Sequence, residues 1–593
     1  MGKLTLSGFV KDISSGEAIV NATIIEEKTG KVVVTDPLGG YSMSLSKGRH
    51  SLKIKIMGMK TTMRNVIIYS DGKLNIEMEE EITPLKEVVV RSNRESNVLS
   101  TQMGAQKMDI KMMKQIPLAL GETDVLKVIT MLPGVQTVGE GTLGLNVRGG
   151  TTSQNLILFN DAIVYNPSHF FGFFSTFNPD VIKSVELYKS GMTADYGGRL
   201  ASVLDIQSRE GNYKKLSGSG GISPVSARLS FEGPISEKTV FMVGVRSTYS
   251  DWVLRQIDAP SLRNTQASFY DINATINHKI DNNNHITVSG YTSNDHFRLN
   301  SDTTYQYSNQ NASVKWKHIF NPKLFASFIA GYSGYNYEIS SDKNPVTAFK
   351  MDFSVQQFNV KADFSYQYDH QHTITTGISS TRYHLSPGNL KPVGDKSLIA
   401  PDPLQQENGQ ESAVYIGDNF DVSPKLSLYA GIRYSMYQYL GARDVYQYQS
   451  GQPRQDYTIV DTIHYAAGKT IANYGGLEPR FSARYTLNDN SSIKFSYNRM
   501  RQYIQMLSNT TAVTPTDIWK LSDTYIKPQV GDQVSLGYYQ NLKKNLIELS
   551  VEGYYKTIQN TVDYKSGAVL LLNHHIETDI LNANGKAYGV EFL

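Results

Sequence analysis

Over most of its length the chain alternates apolar and polar residues with a period of two. Val225, Ala227, Leu229 and Phe231 are apolar, and Ser226, Arg228, Ser230 and Glu232 among them are polar. The same alternation sets Leu426, Leu428, Ala430, Ile432 and Tyr434 against Ser427, Gly431, Arg433 and Ser435. It also sets Ile493, Phe495 and Tyr497 against Lys494, Ser496 and Asn498. Period two predicts strands with one apolar and one wet face. The connections say what covers the apolar face. Short polar turns at Ile235-Ser236-Glu237-Lys238, Asp281-Asn282-Asn283-Asn284, Asn321-Pro322-Lys323, Ser423-Pro424-Lys425, Asn488-Asp489-Asn490 and Leu542-Lys543-Lys544-Asn545 alternate with longer loops near 385–411, 440–475 and 504–530. That asymmetry predicts a transmembrane β-barrel over 212–593. About fourteen strands precede a last one, and period-two patterning ends inside it at Ala587–Leu593. A barrel must close to satisfy its backbone in lipid, so the barrel is expected to be truncated, with further strands beyond Leu593.

The first eighty residues carry a different pattern. Short β-rich runs (LTLSGFVKDI, AIVNATIIEE, KVVVTD, YSMSLS, HSLKIKIMG, KLNIEMEE) are punctuated by turn signals such as Pro37-Leu38-Gly39-Gly40 and Lys47-Gly48. The spacing predicts a β-sandwich over 1–80. A charged, proline-containing linker follows over 81–100. Within it Glu87-Val88-Val89-Val90 is an isolated β-former run. It reads either as a last sandwich strand or as an extended peptide that adds to another protein's sheet edge. Between Ala119 and Val135, apolar Val125, Leu126, Ile129 and Leu132 fall near helical spacing, and Pro133-Gly134 ends the run. Gly139-Glu140-Gly141-Thr142-Leu143-Gly144 matches G-x-G-x-x-G, with Asp161 about 20 residues on. A dinucleotide loop needs a strand before it and a helix starting on it, whereas here a helix precedes and strand-like LNVRGG and NLILFND follow. Nucleotide binding is not expected.

Composition narrows the chemistry. With 58 Lys+Arg against 55 Asp+Glu the net charge is +3, which gives no nucleic-acid footprint. Zero cysteines exclude disulfides, thiolate zinc and iron–sulfur sites. The start, MGKLTLSG, lacks a charged region followed by an apolar core, so a signal peptide is expected to be missing from this stretch. His370, His372 and the pair His574-His575 have no acids arranged beside them and are read as turn or loop histidines. No metal, cofactor or enzyme constellation is expected.

Four motifs in order carry a resemblance. Leu145-Asn146-Val147-Arg148-Gly149-Gly150, then Asn155 to Ala162 with Phe159-Asn160-Asp161, then Val181 to Gly191 with Glu186, then Tyr196-Gly197-Gly198-Arg199 to Ile206 resemble the plug domain of TonB-dependent outer-membrane receptors. Asn160-Asp161 stands where that family often has Asp-Gly, and Ser190-Gly191-Met192 replaces a Gly-Pro. Gly8-Phe9-Val10-Lys11-Asp12, Thr35-Asp36-Pro37-Leu38-Gly39-Gly40-Tyr41 and Lys47-Gly48-Arg49 resemble the carboxypeptidase regulatory-like domain, which implies a spacing or binding module and no peptidase activity. The resemblance implies a mainly β protein: an N-terminal β-sandwich, an α/β plug over 101–211, and the barrel, which in plugged outer-membrane transporters has ~22 strands. It makes Glu87-Val88-Val89-Val90 the candidate TonB box.

The implied function is TonB-dependent import of a scarce ligand, such as a siderophore or other metal complex, a glycan or a peptide. The alternative is a surface receptor that senses or adheres and signals through its N-terminal domain. The implied partners are the TonB C-terminal domain with its inner-membrane motor, a small metal-chelate or oligosaccharide ligand, outer-membrane lipid and a surface lipoprotein, with the sandwich and plug side in the periplasm. Arg148, Arg199 and Glu186 are expected to pair with charged groups of the inner barrel wall, in ion pairs kept weak by a water-filled lumen. Gly149, Gly197 and Gly198 are expected to permit tight turns and close approach. Tyr165, His169, Phe170 and Phe171 are the candidate ligand-stacking residues, with Tyr437, Tyr439, Tyr446 and Tyr448 behind them.

Overall fold

The computed structural model describes residues 3–36, 38–56, 59–79, 94–116, 122–137, 144–258, 265–298, 302–369, 371–508, 517–543 and 547–593. The candidate Glu87-Val88-Val89-Val90, His370 and all of the glycine motif except Gly144 lie outside these residues.

Residues 3–79 fold as two facing sheets. One pairs Gly40–Ser46 with Lys3–Asp12, which also pairs in parallel with Gly72–Lys73 and Ile76–Met78. The other runs Lys31–Val34, Thr23–Glu26, Gly48–Lys55, Thr62–Ile68. Alternation sends Tyr41, Met43 and Leu45 from one sheet and Leu52 and Ile54 from the other into a single core. Gly39 is required at its turn: φ is +71°, and a Cβ there would lie 2.5 Å from the Val10 carbonyl oxygen.

The next unit is a five-stranded mixed sheet in the order Ala162–Ile163, Asn155–Phe159, Ser202–Ser208, Ile182–Tyr188, Ala105–Asp109. Helix Val125–Ile129, N-capped by the Asp124 carboxylate, buries Val125, Leu126, Val128 and Ile129 against it. Leu145–Val147 pairs antiparallel with Val135–Thr137, so a strand, not a helix, follows the glycine motif. Asn160 and Asp161 both have positive φ, +47° and +68°. Two consecutive left-handed residues make the tight hairpin between Asn155–Phe159 and Ala162–Ile163, and asparagine and aspartate tolerate that conformation best among residues with a Cβ.

The remaining chain is a seventeen-stranded antiparallel sheet from Ser217–Ile222 to Ile580–Phe592, one member being the two-residue Asp402–Pro403. The sequence reading undercounts it. Ser217–Ile222 (SGSGGI) carries no apolar alternation to count. Along Gln529–Leu542, Gln533, Ser535 and Tyr539 point inward, whereas Val534, Leu536 and Tyr538 point outward and are exposed. The apolar face is the outer one, as a lipid-facing barrel wall requires. Among the described residues the first and last strands pair on one side only, so the sheet is open between them. The five-stranded unit fills its interior. The sandwich lies at the short-turn end, where the Phe9 ring meets His285 edge-on at 6.3 Å.

Candidate functional site

The plug touches the barrel wall through two unlike seams and a layer that crosses the lumen. At the first seam, strand Leu145–Val147 delivers Arg148 (φ +49°) into a turn with Gly149 (φ +71°). A Cβ on Gly149 would sit 2.6 Å from Ala587 Cβ, and one on Gly150 2.4 Å from Ala201 Cβ, so both glycines let the backbone approach its neighbours. The Arg148 guanidinium is wholly buried. Its Nε donates to Glu591 Oε1 at 2.8 Å, and its Nη2 donates to Glu552 Oε2 at 2.5 Å and Glu591 Oε2 at 2.9 Å. Lys189 Nζ donates to Glu591 Oε2 at 2.6 Å. Burial pulls the Arg148 pKa down, but the two carboxylates outweigh it and raise it. Lys189 is lowered by burial and by the Arg148 charge. The expectation of weak, water-bathed pairs is corrected here: the side chains of Arg148, Glu552 and Glu591 are 0, 2 and 7 % exposed, so separating them strands desolvated charge.

The second seam is wet. Asp161 pairs with Lys315 on the wall, and Lys361 with Asp363 at 3.0 Å and with plug residue Asp195 at 3.8 Å. These groups border a cavity of about 640 Å³ between plug and wall. Asp205 also faces it, its carboxyl pushed up to about 6 by burial and by the Asp161 charge, while accepting a hydrogen bond from Tyr196 Oη at 3.0 Å. Glu186 departs from expectation. It pairs with Lys107 of the plug at 3.2 Å and accepts from Asn21 of the sandwich at 2.8 Å, not from the barrel wall.

Above the cavity, towards the long loops, lies the crossing layer. Tyr165 Oη donates to Gln357 Oε1 at 2.5 Å, and Tyr383 Oη donates to Glu411 Oε2 at 2.9 Å. A Cβ on Gly197 would lie 2.5 Å from Arg433 Nε, so the glycine admits that guanidinium against the backbone. Gly198 has φ +79°. Arg199 donates to its carbonyl at 2.8 Å and lies 5.6 Å from the Trp519 ring centroid, which Tyr165 meets edge-on at 5.1 Å. Arg199 therefore braces against an aromatic ring, with the wall carboxylate Glu411 within its electrostatic reach.

Trp519 belongs to an element the sequence reading missed. Strands Ile504–Leu507 and Ile518–Leu521 form a hairpin folded into the lumen, held by Leu521 N donating to Glu407 Oε2 at 3.0 Å and by Tyr437 Oη and Tyr474 Oη donating to the carbonyls of Ser522 and Asp523 at 2.9 and 2.8 Å. The signal was two four-residue apolar-rich runs inside one long loop.

The candidate stacking residues are anchors. His169 is fully buried, stacked on Phe269 at 3.9 Å and 6°, with Nδ1 2.7 Å from Asp295 Oδ2 and Nε2 3.5 Å from Asp271 Oδ2. Arg246 Nε donates to Asp271 at 2.7 Å. Burial pulls the His169 pKa down, but its two carboxylate neighbours outweigh that and raise it. Phe170 packs with Phe174 and Phe269. The Phe171 side chain lies outside the described set. Tyr437 and Tyr439 are also interior, Tyr437 stacked on Tyr503 at 4.9 Å. Tyr446 and Tyr448 sit in a hairpin at the long-loop end, Tyr448 donating to Glu577 at 2.7 Å. His574 contacts Asp402 at 2.6 Å. Among the described residues no three His, Asp or Glu side chains converge as a metal site.

Comparison with protein families now matches residues 247–593 to the TonB dependent receptor-like β-barrel, and residues 102–203 to the TonB-dependent receptor plug domain. The chain belongs to the TonB-dependent receptor family. Residues 6–90 match the CarboxypepD_reg-like domain, a stretch that takes in Glu87-Val88-Val89-Val90. Among curated proteins nothing matches significantly. Solved structures share the receptor fold at low identity. A copper transporter, OprC, aligns at TM-score 0.60 and 11% identity over 83% of this chain and 77% of its own. The siderophore receptor PirA from Pseudomonas aeruginosa aligns at 0.56 and 13% over 82% and 81%. The Serratia marcescens hemophore receptor HasR, solved with its hemophore and heme, aligns at 0.58 and 10% over 84% and 80%. The family places such receptors in the Gram-negative outer membrane, and it is a family of transporters and receptors, not of enzymes.

Proposed function

We propose that this TonB-dependent receptor imports a scarce small ligand, of the siderophore or metal-chelate kind, across the outer membrane. The long loops and the inward hairpin face the outside, and the sandwich and short turns face the periplasm. The observation that carries the reading is the crossing layer Tyr165–Gln357, Arg199–Trp519, Tyr383–Glu411: a lumen filled by a separately folded plug is closed at rest and needs work to open. Ligand settles against the hairpin, whose Trp519 touches both Tyr165 and Arg199 of the plug, so occupancy reaches the plug directly. The TonB C-terminal domain takes Glu87-Val88-Val89-Val90 as an added strand. A pull there first loads residues 94–103, which are held to the wall by Arg484, Lys494 and Tyr539, and then the plug's first strand, Ala105–Asp109, which is the edge of its sheet and bonds to Ile182–Tyr188 alone. An edge strand loaded from its end opens locally before the whole domain does. The periplasmic motor thereby does the work that ligand binding alone does not.

Deleting Glu87 to Val90 tests this. Ligand binding at the cell surface stays as in the intact protein, and accumulation inside the cell falls to background. Undiminished accumulation refutes the box assignment. Binding without accumulation in the intact protein favours a sensing receptor.

A further inference from the structure

The barrel-wall cavity has a floor that belongs to neither plug nor barrel. Val20, Asn21, Asp36 and Leu38 of the sandwich line its short-turn end. That floor is braced from within: Asn21 N donates to the Thr35 carbonyl at 3.0 Å, Ala22 N donates to Thr35 Oγ1 at 2.7 Å, and Thr35 Oγ1 donates to the Ile19 carbonyl at 2.7 Å. Two loops of the sandwich thus form one stiff surface.

The bonds that hold the floor in place are polar. Asn21 bridges Glu186 and Lys107, donating to one and accepting from the other at 2.8 Å each. Lys183 Nζ donates to the Ala18 carbonyl at 2.5 Å and lies 3.5 Å from Glu17. Glu210 N donates to Glu17 Oε1, and Tyr213 N to the Ser15 carbonyl, both at 2.8 Å. The apolar cores do not merge: the sandwich core draws only on its own residues, and the plug core draws only on plug and barrel wall. A domain held by a polar interface with its core intact undocks as a rigid body, without exposing buried apolar surface.

We propose that the N-terminal sandwich is the inner door of the lumen. Docked, it closes the wall cavity at the periplasmic end. Undocked, it opens a water-lined space of a size that takes a small chelate, while the plug stays seated at Arg148. The assignment of that end to the periplasm rests on the import reading above, but the door itself is a property of the fold.

The absence of native cysteine gives a clean test. Ser327→Cys places a thiol on the cavity wall, and its reaction with a charged, sulfonated maleimide is followed in the purified full chain in micelles. Breaking the interface with Lys107→Glu is expected to speed labelling by about tenfold or more, as removal of a closed state does. Restoring the opposite charge with Lys107→Glu plus Glu186→Lys is expected to return the slow rate, which a misfolded sandwich does not do. Equal labelling rates with the interface intact and broken overturn the proposal. So does fast labelling that the charge swap fails to slow. The readout needs neither ligand nor TonB, so a failure of the import reading leaves it decidable.

Discussion

The two seams between plug and barrel are built from the same residue types and have opposite characters. At Arg148 the charges are dry and paired through Nε and Nη2, and their partners Glu552 and Glu591 lie on the last two strands of the sheet. At Asp161 and Lys361 they border the cavity of about 640 Å³, with side chains 15 to 23 % exposed. A buried pair resists opening because separation leaves charge in a poor dielectric. A wet pair exchanges with water and costs little to separate. The plug is bolted to the wall at Arg148 and at His169 and meets it through partly exposed pairs at the cavity, so force is expected to open it at the cavity first.

The largest expected effect comes from unbolting. Arg148→Ala leaves Glu552 buried without its cation and Glu591 with Lys189 alone, and lowers the free energy of plug seating by ~3–5 kcal/mol. Hydrogen exchange of Leu145–Val147 and Asn155–Phe159 reads it as lost protection. A smaller loss, about 2 kcal/mol, is expected for His169→Gln, which removes the ring that hydrogen-bonds the Asp295 carboxylate. Its pH dependence has a definite sign. The folded pKa of His169 is raised, so its contribution is complete below about pH 6.5, the unfolded value, and fades as pH rises through the higher folded value. Exchange across Ser168–Ser175 is therefore expected to quicken at alkaline pH in the native protein and to stay flat in the variant. On the wet side, Asp161→Asn is expected to cost no more than about 1 kcal/mol. Asp205 contributes a pH slope and not a fixed cost. Its carboxyl is raised from 3.8 to about 6, so the folded state binds the proton more tightly and plug stability falls as pH rises across that interval. Asp205→Asn removes the slope in a melting series between pH 4 and 7.

Much of the fold was legible because it is periodic. Val534, Leu536 and Tyr538 against Gln533, Ser535 and Tyr539 define inside and outside by alternation alone, and the turn lengths supply the lipid. Landmarks such as Arg148 were legible as motif residues, but their partners were not: Arg148 reaches residues 404 and 443 positions away, and no spacing rule links them. His169 and Phe170 were misread for a related reason. An aromatic-rich loop looks the same whether it faces solvent or is folded onto a wall, and what decides here is Asp295, on a barrel strand 126 residues on. Glu186 was assigned to the wall because the sandwich beneath the plug leaves no trace in its local sequence. The Trp519 hairpin was hidden because four-residue strands fall below the length at which alternation is distinguishable from chance.

Pulling single full-length molecules in a lipid bilayer from the segment just before Arg94 tests the unequal seams most directly. The account predicts a stepwise rupture: the segment 94–103 leaves the wall, Ala105–Asp109 extends next, the plug holds at Arg148, and that last barrier vanishes in Arg148→Ala. A plug that leaves the barrel in one event, at a force unchanged by Arg148→Ala, contradicts it.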